Sequence, residues 1–190
     1  LLALVVIGAG AAAQEPAGGL RDLAARHGIR VGTAVSPAGL DDAPYLALVA
    51  RHFTLMVPEY GMYMSQLRPA PDAWDFAEAD AVLTFAADNG LSVRGHALVW
   101  GMPLDSANPF GGWTPIPAWL HAARPDREAA IEIMQDHIET VMHRYGGQVR
   151  DWVVVNEALS GATLWDRLIG PDYVTLAFRH ARRVDPTSRL

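Results

Sequence analysis

The chain has 190 residues, enough for one domain with a sizeable core, and 51% of them are hydrophobic, so it is not a disordered chain. It has no cysteine, which excludes disulfide frameworks, thiolate metal sites and thiol nucleophiles. The net charge is −6, and no basic run, RNA-binding aromatic motif or zinc-finger spacing is present, so no nucleic-acid partner is expected.

The chain opens on "LLALVVIGAGAAAQEPAGG": an apolar run, then small residues, then a polar exit rich in Pro and Gly. That order matches a secretory signal peptide, with Ala11-Ala12-Ala13 before Gln14 as the cleavage site. Residues 1–13 then read as a signal-peptide remnant and 14–19 as a linker. The expected location is secreted, extracellular or periplasmic. The run is too short for a transmembrane helix, so the mature form is expected to have no membrane partner. A rival reading takes "VVIGAGAAA" (5–13) as a dinucleotide-binding strand and glycine turn. It is the weaker one. Ala13 holds the third glycine position, Gln14-Glu15-Pro16 interrupts the helix, and the strand "IRVGTAV" ends without a ribose-binding acid.

After the leader the pattern alternates. The sequence predicts a helix over 20–28, a strand over 29–35, a helix over 43–53 and a strand over 54–59. A helix over 76–90 and a strand over 91–100 follow. Residues 101–125 read as one long loop rich in Pro, Gly and Trp. An amphipathic helix is predicted over 126–147, with an acidic start and a Gly-Gly end. A fourth strand covers 149–159, and a helix covers 171–185 between Pro171 and Pro186. Apolar, β-branched strands alternating with helices predict an α/β fold with a parallel sheet. The two architectures that fit are a (β/α)8 barrel, of which four units are present, and an open doubly wound sheet.

Polar side chains collect at the carboxyl ends of these strands: Glu59, then His96 and Trp100, then Asn156 and Glu157. In a barrel that end carries the active site. A partly desolvated Glu157 would hold a proton near neutral pH, as a general acid must; the plain structural alternative is a cap or ion pair for the segment that follows. Glu59 is expected either to bind a substrate hydroxyl or to pair with an arginine such as Arg94. His96 alone reads more readily as a structural histidine. His137 and His143, six apart on a helix, point to different faces and make no metal pair. Trp100, Trp113 and Trp119 gather around the proline-rich loop, where aromatic faces suit either sugar stacking or core filling.

The order of motifs resembles the N-terminal half of glycoside hydrolase family 10, the retaining endo-β-1,4-xylanases built on a (β/α)8 TIM barrel. The match runs through "VPEYGMYM" (57–64), "WDFAEADAVLTFAADNGLSVRGHALVW" (74–100), "IPAWL" (116–120), "HIETVMHRYGGQVRDWVVVNEAL" (137–159) and "GPDYVTLAFRHARRVDP" (170–186). The resemblance implies that Glu157 is the general acid/base and that Asn156 contacts the sugar beside the cleaved bond. It places Glu59, His96 and Trp100 at the glycone subsites and matches Trp119 to a tryptophan of a substrate loop. It implies no cofactor and no metal, and a polysaccharide substrate, xylan or a related β-glycan. Departures are visible too. The family pattern "TPENxMKW" has its Asn, Lys and final Trp replaced by Tyr60, Tyr63 and Met64, and "HxQ" after "LVW" becomes Gly101 and Pro103.

The expected protein is therefore a secreted endo-acting glycoside hydrolase, of which residues 20–190 form the first half of the barrel. Retention requires two carboxylates about 5–5.5 Å apart. The resemblance puts the nucleophile on the seventh strand, so Glu157 is expected to find its partner beyond residue 190, and the 190 residues alone are expected to be inactive, with exposed edges on the first and fourth strands. The alternative is a non-catalytic or degenerate glycan-binding protein, suggested by Tyr60, Tyr63, Gly101 and Pro103.

Overall fold

In the computed structural model the residues described are 18–102, 114–159 and 163–190. The leader, its cleavage site, Pro103 and Trp113 lie outside them. Helix α1 (Leu20–Ala25) leads to strand β1 (Gly32–Val35), and a short 3-10 turn (Pro37–Asp41) leads to α2 (Ala43–His52). Then come β2 (Leu55–Pro58), α3 (Met64–Leu67), α4 (Ala77–Asp88) and β3 (Ser92–Trp100). They are followed by α5 (Ala118–Ala123), α6 (Arg127–Arg144), β4 (Val149–Asn156), α7 (Leu164–Ile169) and α8 (Tyr173–Val184). The four strands form one parallel sheet in chain order, β1-β2-β3-β4. It is a partial (β/α)8 barrel, not an open doubly wound sheet, in which successive strands would not stay in chain order.

The helix boundaries have local causes. Asp42 caps α2 by accepting from the Tyr45 backbone N–H at 3.0 Å, and Asp126 caps α6 by accepting from Ala129 N–H at 2.9 Å. Along α6, Ala130, Met134, His137, Ile138, Val141 and Met142 are buried at helical spacing. Gly147, with φ +81, then turns the chain into β4.

Three helices were not predicted: α3, just after β2, α5 and α7. The 101–125 stretch holds α5, and α7 fills the gap before 171. All three have six residues or fewer, too short for periodicity to register. One cue for α7 was present: Thr163 accepts from the Asp166 backbone N–H at 3.1 Å, an N-cap with an acidic residue three further on.

Between β3 and β4 the sheet is tightly fitted. A Cβ on Gly95 would lie 2.2 Å from the Trp152 ring, so only glycine allows the strand to pass. The register shifts between His96 and Val99, where the His96–Ala97 peptide is cis. The outer edge of β4, expected to be exposed, is covered only around Asp151 among the described residues. Arg189 accepts from Trp152 N–H and donates its own N–H to Arg150, both at 2.8 Å, and its guanidinium pairs with Asp151. Asp151 and Arg189 thus form an isolated parallel bridge.

A buried cation ties α3, α5 and α6 together. Arg68 donates from Nε to the Pro71 carbonyl (2.9 Å) and pairs with Asp136 (2.9 Å). Its guanidinium lies over the Trp74 ring at 4.9 Å and the Trp119 ring at 5.4 Å. Trp119 in turn donates Nε1–H to the Arg68 carbonyl at 2.9 Å. His137 is stacked with the Trp74 ring, 5.7 Å from it and nearly parallel. Both His137 ring nitrogens are buried without a hydrogen-bond partner.

Burial, with help from the Arg68 charge, pushes the His137 pKa down to about 3. An imidazole in the unfolded chain protonates near 6.5. Between these values the unfolded state carries the extra proton, so stability falls as pH drops from about 6.5 toward 3, by up to about 1.4 kcal/mol per unit. His137→Phe should flatten this slope. Urea midpoints of both proteins at pH 7 and pH 4.5 check it; parallel losses would clear His137.

Candidate active site

The parallel register brings the ends of β2, β3 and β4 together. Trp100 is opposite Asn156 in the last β3–β4 pair, so Glu157, the next residue, sits beside the indole. Trp100 donates Nε1–H to Glu157 Oε2 at 3.0 Å. Glu157 has φ +52, a left-handed turn that takes its side chain out of the strand's alternation. Glu59 follows β2, its backbone N–H donating to the Val35 carbonyl at 2.9 Å.

Tyr63 fills the space among these groups. Its ring is 5.0 Å from Trp100 and 5.8 Å from His96, both edge-on, and it is buried. Burial raises its pKa; Glu59 and Glu157 push the same way, and a hydrogen bond from the Tyr60 backbone pushes back. His96 moves in the opposite direction. Desolvation holds its pKa below the ordinary value, only partly offset by a hydrogen bond with Asn156 and by the charge on Glu157. The imidazole is therefore neutral at neutral pH.

Of the six residues expected at the site, Glu157, Asn156, His96 and Trp100 are brought into one linked group. Glu59 joins them electrostatically through Tyr63. Trp119 is not brought there; its N–H and ring are committed to Arg68. Glu59 makes no ion pair with Arg94 among the described residues. Arg94 is opposite Asp151, and its neighbour Val93 pairs with Met56, three residues before Glu59, so the two charges belong to different levels of the sheet. Glu157 is exposed, where partial desolvation was expected. Tyr63 is the site residue that sequence reasoning noticed only as a departure; its burial depends on a turn after β2 that carries no periodic pattern. The described residues contain no cluster of acids and histidines able to hold a metal, and no helix long and apolar enough to cross a membrane.

A model of glycosyl hydrolase family 10 matches residues 19–190. The chain belongs to glycosyl hydrolase family 10. Among its relatives, endo-1,4-beta-xylanase B of Thermotoga neapolitana is 32% identical over 179 residues, 90% of this chain and 48% of the relative. A beta-1,4-xylanase of Dictyoglomus thermophilum is 34% identical over 84% of this chain and 43% of its own length. The crystal structure of native xylanase 10B from Thermotoga maritima superposes with a TM-score of 0.78 at 32% identity, covering 90% of this chain and 51% of that one. The xylanase 10B of Thermotoga petrophila, solved in complex with xylobiose, gives 0.79 at 29% identity and the same coverage. The chain thus spans about half the length of these relatives.

Within the family, Gly101 is a departure with a visible cause. A Cβ there would come within 2.9 Å of Thr163 Cβ and 3.1 Å of Trp165 Cδ1. Trp165 is fully buried and cannot swing away. The histidine that the family pattern places here has no room. Gly101→Ala should therefore destabilise the chain by about 1–3 kcal/mol through overpacking, read as a lower urea midpoint. An unchanged midpoint would mean that Thr163 and Trp165 yield.

Proposed function

We propose that the whole protein is a retaining endo-acting hydrolase of β-1,4-xylan or a related β-glycan, with Glu157 as its general acid/base. The observation that carries this reading is the Trp100–Glu157 hydrogen bond at the open end of the sheet, with Asn156, His96, Tyr63 and Glu59 around it. The relatives are xylanases, and one solved neighbour holds xylobiose. In the first step Glu157 gives its proton to the glycosidic oxygen as the C1–O bond breaks and a second carboxylate bonds to C1. In the second step Glu157, now ionised, takes a proton from water as that water displaces the carboxylate. Indole donation from Trp100 fixes the direction in which Glu157 presents its oxygens. Asn156 and Glu59 are positioned to hydrogen-bond sugar hydroxyls, and neutral His96 can do so without adding charge.

We further propose that the second carboxylate lies outside these 190 residues, since the resemblance assigns Glu59 to binding. Export, read from residues 1–13, belongs to the same proposal. The competing reading, a glycan-binding protein without catalysis, draws support from the replacement of the family's Asn and Lys by Tyr60 and Tyr63.

Glu157→Gln in the whole protein decides between them. Hydrolysis of xylan should fall by about 10²–10⁴-fold. Cleavage of an aryl xyloside with a good leaving group, which needs no protonation, should still release its phenol in a first burst. Unchanged xylan hydrolysis would remove Glu157 from the mechanism, and a whole protein that binds xylan without turnover would favour the binding reading. Robust turnover by the 190-residue chain alone would overturn the placement of the second carboxylate.

A further inference from the structure

Glu157 is exposed and leaves β4 on a left-handed turn, so its carboxylate takes its direction from the groups it bonds. One of them is the Trp100 indole, 3.0 Å from Oε2. An indole N–H is a donor only. Oε2 is therefore the accepting oxygen, and Oε1 is left to carry the proton that a general acid gives up. This division holds only while the indole keeps its direction. Trp100 is the last residue of β3, and another staggered side-chain rotamer would carry Nε1 away from Glu157.

Tyr63 packs against that indole. Its ring centroid lies 5.0 Å from that of Trp100 at 64°, and 5.8 Å from that of His96 at 66°. His96 and Trp100 themselves meet at 6.3 Å and 74°. The three rings close a triangle of edge contacts, an arrangement that aromatic quadrupoles favour. Tyr63 is only 6% exposed, and Met62 and Met64 on either side of it are buried. Its backbone is pinned at the start of α3. The N–H donates to the Tyr60 carbonyl at 3.0 Å, and the carbonyl accepts from Gln66 and Leu67 N–H at 2.9 Å each. A fixed ring thus leans on a ring at a strand end. Burial raises the pKa of its phenol, which stays uncharged beside the carboxylates. The lysine that the family pattern places here, where this chain has Tyr63, has no flat face to close such a triangle.

We propose that Tyr63 is a positioning residue for proton transfer: its ring wedges the Trp100 indole toward Glu157 and itself touches neither the sugar nor the reacting atoms. The proposal rests on reading Glu157 as the general acid/base. In the first step the proton passes from Oε1 to the glycosidic oxygen, which takes the C1–O electron pair as the second carboxylate bonds to C1. Oε2 stays bonded to the indole throughout, so the ionised Glu157 keeps its place and is ready to take a proton from water. A smaller side chain at 63 opens space beside the indole. The indole then turns, and the acid loses its direction. The cost falls on substrates whose leaving group needs a proton and spares those whose leaving group does not.

Kinetics of the whole protein test this. Tyr63→Leu should lower kcat/KM on xylan by about 10–100-fold, the scale of a misplaced catalytic group, and through kcat rather than KM. The first burst from an aryl xyloside with a good leaving group should keep its rate within about twofold. The burst amplitude counts folded sites, so a loss of fold cannot pass for a loss of positioning. Tyr63→Phe, which keeps the ring, should retain xylan hydrolysis to within about threefold. In a Trp100→Phe background, which lacks the indole N–H, Tyr63→Leu should cost less than about threefold further. An equal loss on xylan and on the aryl xyloside would show that Tyr63 shapes the sugar site, and would overturn the proposal. Unchanged xylan hydrolysis by Tyr63→Leu would overturn it too, as would Tyr63→Phe as slow as Tyr63→Leu, or a fully additive loss in the Trp100→Phe background. If the wild type neither hydrolyses xylan nor gives a burst, the reading of Glu157 falls first, and Tyr63 has nothing to position.

Discussion

The open end of the sheet depends on the pairing of β3 with β4. Trp100 and Asn156 are opposite each other only because the register shifts between His96 and Val99. A slip by one residue would turn side chains to the other face of a strand and separate the indole from Glu157. That register depends in turn on a missing side chain. Gly95 lets β3 pass over the Trp152 ring, which would otherwise hold the strands apart. The chemistry of a carboxylate is thus set five residues and one strand away, by a close contact between backbone and an aromatic face.

Aromatic rings do for this site what ion pairs do elsewhere. Tyr63, Trp100 and His96 meet edge-on at the strand ends. Burial of Tyr63 raises its pKa, and the charges of both carboxylates add to the rise. The same surroundings keep His96 uncharged. Away from the strand ends a guanidinium meets the rings directly, as where Arg68 fills the gap between Trp74 and Trp119 and joins three helices.

The alternation of strands and long helices was legible from the sequence because each has a period that one chain can display. The four strands and helices α2, α4, α6 and α8 appear within a few residues of their predicted places. Helices α3, α5 and α7 were missed because six residues or fewer show less than two turns of pattern. The gathering of Glu59, His96, Trp100, Asn156 and Glu157 was legible as strand-end chemistry. Trp119 was not legible: a tryptophan near a proline-rich loop reads alike whether it meets a sugar or an arginine. The Glu59–Arg94 pairing failed for a related reason. Sequence gives each residue a strand but not a level, and the level is set by which backbone groups pair.

Strand order that follows chain order has a consequence for how this sheet is made. Each strand, as it leaves the ribosome, finds its neighbour already present: β2 beside β1, β3 beside β2, β4 beside β3, and Arg189 beside β4. No strand must wait for a later one to be inserted between it and its partner. Growth by addition at one edge keeps each loop closure short and lets the sheet form from its first residues onward as synthesis proceeds. At any moment the newest strand shields the edge of the one before it, while the outer edge of β1 has no neighbour among the described strands.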